Sequence, residues 1–169
     1  MRRLAIGSIA IVLLAGVQCE PQVTKAAPLK SLRQTTVLAE SLGADAKALG
    51  LSVKSLESQM LVGLRRDIPR LAVRESAIPY LYLNLNVMRN TTVGGSEAGF
   101  SVCVSLEMKR IVMIQDDVGD GEVTLAMAVV WHRGSLLGGS RRSIRQQVRD
   151  SIDEKLTEFA AEYYRQNPQ

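Results

Sequence analysis

The chain has 169 residues, 46% hydrophobic, 22% charged and 4% aromatic, with 21 Lys and Arg against 17 Asp and Glu and a formal net charge of +4. That length corresponds to one domain, and so slight a charge excess, with no lysine tract and few aromatics, excludes a nucleic-acid binder. A lone histidine excludes two-histidine metal sites.

The amino terminus, "MRRLAIGSIAIVLLAGVQCE", carries Arg2 and Arg3 ahead of an uncharged run from Leu4 to Val17. This is the layout of a secretory signal peptide. The run is too short to span a bilayer, which takes about 20 residues. Residues 1–19 are therefore expected to be removed; Thr24 and Ala26 offer a later cut after residue 26. Lipid anchoring at Cys19 is the weaker reading, because Gln18 is a poor fit to the small residue that precedes a lipidated cysteine. The expected location is periplasmic or secreted, with no transmembrane span after processing. Once Cys19 is gone, Cys103 has no intramolecular disulfide partner, so the fold must rest on its apolar core.

Residues 20–32, with Pro21 and Pro28, read as a flexible leader, and residues 33–169 as a single domain. Residues 33–42 read as a first strand, followed by a turn or single helical turn that ends at Gly50. From Ser52, a natural N-cap, the stripe Val53, Leu56, Met60 and Leu64 predicts a helix to about Arg66. "RLAV" is a short strand. Three strands with period-two alternation follow. In the first, Leu81, Leu83, Leu85 and Val87 face opposite to Tyr80, Tyr82, Asn84 and Asn86. In the second, Phe100, Val102, Val104, Leu106 and Met108 share a face, and "RIVMIQ" extends the strand past a bulge. In the third, Val123, Leu125, Met127, Val129 and Trp131 are expected on one face. Finally, Ile144, Val148, Ile152, Leu156, Phe159 and Tyr163 recur every three or four residues, giving a long amphipathic helix from Ser140 to about Arg165. The whole predicts an α+β two-layer sandwich, β-α-β-β-β-β-α. Its sheet is mainly antiparallel, with both helices, including the long C-terminal one, on one face.

"GSLLGGS", residues 134–140, mimics a phosphate-binding loop, but Ser140 stands where that loop needs lysine. The reading is a turn at Gly138 and Gly139 with Ser140 capping the helix, and no nucleotide. "DDVGDGE" has calcium-loop composition without its ligand spacing and reads as a hairpin turn. Asn90 opens a glycosylation sequon. No cofactor, metal or catalytic residue is expected. Cys103 and His132 are the one conceivable nucleophile–base pair, without a supporting signature.

Two surfaces stand out. Arg141, Arg142 and Arg145, beside Ser140 at the start of the last helix, oppose the macrodipole preference and make a candidate site for an anion or partner. Tyr82, Asn84, Asn86, Ser101 and Ser105 make a candidate exposed sheet face.

The stretches "LGLSVKSLESQMLVGLRRD", "PYLYLNLNVM", "SVCVSLEMKRIV" and "AVVWHRGSLLGGS" resemble small exported bacterial proteins of unknown function. The strand–helix–meander–helix order is similar to periplasmic outer-membrane assembly lipoproteins of the LptE type. The resemblance implies a non-catalytic exported protein that binds a cell-envelope protein or anionic lipid. Two alternatives remain open: a small-molecule or lipid carrier with a cavity between long helix and sheet, and a cysteine-dependent enzyme.

Overall fold

The computed structural model describes residues 27–115 and 123–168. The signal segment 1–19, Cys19 and the acidic turn at 116–122 lie outside the described residues. The elements are β1 (Gln34–Ala39), α1 (Ala44–Ala48), α2 (Val53–Asp67), β2 (Ala72–Val73), β3 (Tyr80–Thr91), β4 (Glu97–Gln115), β5 (Val123–Gly139) and α3 (Arg141–Gln166). They form the expected α+β sandwich, with a five-stranded sheet in the order β2-β1-β3-β4-β5. The sheet is mixed: β1 pairs in parallel with β2 and β3, while the longer β3–β4 and β4–β5 ladders are antiparallel.

Both long helices begin at a serine whose hydroxyl accepts a backbone N–H of the first turn, Ser52 from Ser55 and Ser140 from Ser143. Their stripes are buried as their spacing predicts. Leu56, Met60 and Leu64 of α2 meet Ile144, Val148, Ile152, Leu156, Phe159 and Tyr163 of α3 in one core with Leu81, Leu83, Val102, Val104 and Leu106. The two helices cross at Gly63, where a Cβ would stand 2.6 Å from Leu156 Cδ1.

The folded domain starts sooner than expected. Leu29 and Leu32, assigned to the flexible leader, are 0% and 3% exposed. The leader backbone is tied to the end of α3: Leu29 N–H donates to Gln166 Oε1, and Asn167 Nδ2 donates to Leu29 O at 2.8 Å. Among the described residues, no helix is long and apolar enough to cross a membrane.

The turn expected at Gly138 and Gly139 is strand. Gly134 and Gly138 lie in the β5 ladder opposite Ser105 and Ser101, and only Ser140 leaves it, as the helix cap. Asn90 is likewise within β3, its amide donating to Ser101 Oγ at 3.0 Å.

One register shift reshapes the sheet. Met108 pairs with Trp131, but Lys109 pairs with Val129, so Val130 is an extra residue on β5. An inserted residue reverses which side the following residues face. Val123, Leu125, Met127 and Val129 therefore do not share Trp131's core side, as strict alternation predicts. They lie on the opposite, helix-free side, in one layer with Ile111 and Met113. β3 begins pairing only at Lys109. Beyond it, Arg110–Gln115 and the start of β5 project as a two-stranded arm about 20 Å long at roughly 3.4 Å per residue.

Candidate binding surfaces

The arm and its base carry six apolar side chains on the helix-free side: Ile111, Met113, Val123, Leu125 and Met127 on the arm, and Val129 at its base. They are 48%, 76%, 52%, 66%, 45% and 50% exposed, whereas the core residues of the same strands are nearly inaccessible. Single exposed apolar residues are ordinary, but a contiguous set on one face marks an interaction site. The arm is rooted on Trp131, whose ring packs edge-to-face on Phe159 at 5.1 Å. Its Nε1–H is buried without a hydrogen-bond acceptor among the described residues. β5 is the edge of the sheet. Its 17 residues contain no proline, and Arg133 is their one formally charged side chain, so the features that commonly block strand addition are sparse.

Tyr82, Asn84, Asn86, Ser101 and Ser105 do share the helix-free face below the arm, with Cys103, Glu107 and His132. This layer is knit by its own polar contacts. Lys109 Nζ lies 3.9 Å from the Tyr82 ring centroid and 3.2 Å from Glu107 Oε2. Ser105 Oγ donates to Glu107 Oε1 at 3.3 Å, which leaves it to accept from His132 Nε2 at 2.9 Å. The serine thus sits between imidazole and carboxylate, whereas nucleophilic catalysis needs the imidazole in the middle. Cys103 and His132 occupy the same face but rows four residues apart, about 13 Å along the strand.

The arginine site is rearranged. Ser140 is occupied as a cap. Arg141 is engaged by Glu97, with Nη2 to Oε2 at 2.6 Å, and by Ala48 O at 3.1 Å. This hydrogen bond holds the Glu97 carboxyl below the ordinary glutamate range and raises the arginine. Arg142 and Arg145 lack a carboxylate within 4 Å among the described residues, and the same is true of Arg149. Together they line the grooves at the start of α3.

Sequence reading did not single out Lys155. It lies on the buried side of α3 at 3% exposure, its Nζ donating to Ser135 Oγ at 2.8 Å and Ser151 Oγ at 3.1 Å. The signal is on β5, whose core-side residues here, Arg133 and Ser135, are polar rather than aliphatic. The helix opposite them therefore carries a polar group. The expected carrier cavity would open between α3 and the sheet. Among the described residues, grooves of about 470 Å³ between α2 and α3, about 520 Å³ between Ala48–Gly50 and the start of α3, and about 600 Å³ between α2 and β1–β2 lie elsewhere.

No family model matches the chain, and no curated protein matches it. Solved structures similar to it include the PelC dodecamer from Paraburkholderia phytofirmans, at 24% identity over 74% of this chain and 86% of that one, TM-score 0.41. Rare lipoprotein B from Shewanella oneidensis is similar at 14% identity over 78% and 91%, TM-score 0.27. A minor lipoprotein from Acinetobacter baumannii is similar at 12% identity over 77% and 91%, TM-score 0.30. Two of these are lipoproteins by name. At such TM-scores no residue role, ligand or assembly passes from them to this protein.

Proposed function

We propose that the protein is a non-catalytic exported protein that binds a protein partner in the cell envelope, and that it does so through the β4–β5 arm. One observation carries the reading: six apolar side chains lie exposed on a single face of a hairpin that leaves the core. Side chains left so exposed add little burial to the domain itself, whereas a partner that covers them removes that surface from water. The open edge of β5 offers backbone groups to an added strand, and the alternate side chains on the arm face give that strand pockets to fill. The signal-like amino terminus directs the chain to the envelope.

Site-specific photo-crosslinking in intact cells tests this. A photoreactive side chain at Leu125 or Met127 is expected to give discrete protein adducts that disappear when Met113→Asp is added. The same probe at Thr157, exposed on the outer side of α3, is expected to give none. Equal adducts from all three positions, or adducts that survive Met113→Asp, refute the assignment.

A further inference from the structure

We infer that Arg142, Arg145 and Arg149 form a binding site for a phosphoryl group. Their spacing of three and then four residues places the side chains along one side of three successive turns of α3. Arg142 and Arg145 line a groove of about 520 Å³ floored by Ala48, Leu49 and Gly50. With Gln146 and Arg149 they line a second groove of about 200 Å³. The two grooves share Arg142 and Arg145 and lie along the same stretch of helix. Gly50 has φ +72°, and a Cβ there would stand 3.7 Å from Arg145 Cζ, so the guanidinium rests directly over the glycine backbone.

The electrostatics of this cluster are unsatisfied. Arg142 sits in the first turn of α3, where the macrodipole disfavours a cation, Arg145 and Arg149 follow it as like charges at i,i+3 and i,i+4 spacing, and among the described residues none of the three has a carboxylate within 4 Å. Two acids of α3 have amide partners: Asp150 accepts from Gln146 Nε2 at 2.7 Å and Asp153 from Gln59 Nε2 at 2.9 Å. Arg141, one residue before the cluster, is by contrast fully paired with Glu97. An arrangement unfavourable in the free protein is what a bound anion relieves. A tetrahedral phosphoryl group suits it, because each planar guanidinium offers two parallel N–H donors to two phosphate oxygens. The open mouth of the grooves admits a phosphoryl group carried on a lipid headgroup as well as a free one.

The test compares the intact exported protein with two triple variants of equal charge. One is Arg142→Gln/Arg145→Gln/Arg149→Gln. The other is Arg33→Gln/Arg65→Gln/Arg74→Gln, which removes three arginines that, among the described residues, also lack a carboxylate within 4 Å but lie outside α3, on α2 and in the segments flanking β1 and β2. The probes are phosphatidylcholine vesicles containing phosphatidic acid, read by co-sedimentation, and inorganic phosphate, read by the rise in Tm over equal ionic strength of chloride. Loss of about fivefold per surface arginine predicts roughly 100-fold weaker vesicle binding for the α3 variant and near-parental binding, less a modest long-range effect, for the control. That outcome supports the site with a headgroup as its source. A phosphate-dependent Tm rise that vanishes only in the α3 variant, without vesicle binding, supports it with a soluble phosphoryl ligand. Equal losses in the two variants, or no response to either probe, overturn the inference.

Discussion

Ser135→Ala tests how the sheet and α3 are joined. The Nζ of Lys155 is buried with two serine hydroxyls as its hydrogen-bond acceptors, Ser135 at 2.8 Å and Ser151 at 3.1 Å, and the two hydroxyls are themselves 2.7 Å apart. Among the described residues no carboxylate lies within 4 Å of it. A hydrogen bond to a charged group contributes about 1.5–3 kcal/mol, and Ser135 is half-buried, so the substitution is expected to cost about 2 kcal/mol. At about 2–4 °C per kcal/mol, Tm falls by about 4–8 °C. Lys155→Met keeps the aliphatic stem, removes the buried cation and leaves the two hydroxyls bonded to each other. It is expected to be neutral or stabilising. In that background Ser135→Ala removes only a neutral hydrogen bond, about 0.5–1.5 kcal/mol. Urea unfolding of the four proteins measures the difference, a coupling of about 1 kcal/mol. If Ser135→Ala costs the same in both backgrounds, the amine is not held by Ser135 and the reasoning fails.

Two further outcomes follow from the geometry. Gly63→Val places side-chain atoms where Leu156 Cδ1 already stands. It should lower stability by about 1–3 kcal/mol through overpacking, and a Tm at or above that of the parent would show the crossing to be loose. Because Arg141 holds Glu97 deprotonated, this pair favours the fold above the ordinary glutamate pKa and ceases to as pH falls through the lowered one. Arg141→Gln should move the Glu97 midpoint up toward the ordinary range in a carboxyl NMR titration, and an unmoved midpoint would contradict the ion pair.

The helices were legible because a 3.6-residue stripe states both the element and its buried side. Every stripe residue from Ile144 to Tyr163 is in the core. The side of β5 was not legible. Ala126, Ala128 and Val130 alternate with Leu125, Met127 and Val129, so both faces are apolar and period two cannot choose between them. The choice is made by a single extra residue, Val130, and its position depends on the pairing of Met108 with Trp131. Leu29 and Leu32 were too few to form a pattern, and the end of α3, some 137 residues away, is what ties down the backbone at Leu29. The arginine cluster was visible as composition. Which of its members is free depends on Glu97, 44 residues from Arg141 and brought to it by β4. The shared side of Tyr82, Asn84, Asn86, Ser101 and Ser105 was visible in their alternation with core residues, but their exposure was not: Asn86 is exposed and the other four are half-buried. The apolar patch that continues it was hidden by the same bulge.

Thiol labelling tests the outward turn of β5 most directly. In a Cys103→Ser background, cysteines are placed singly at Leu125, Ala126, Met127 and Ala128, and their rates of modification are compared in the purified protein and in intact cell envelopes. Rapid modification at 125 and 127 in the purified protein, slower modification at 126 and 128, and protection of 125 and 127 in the envelope are the expected results. Fast labelling at 126 and 128 with 125 and 127 shielded in the purified protein would put the apolar row back against the core. Rates at 125 and 127 that do not change in the envelope would leave the arm without a partner.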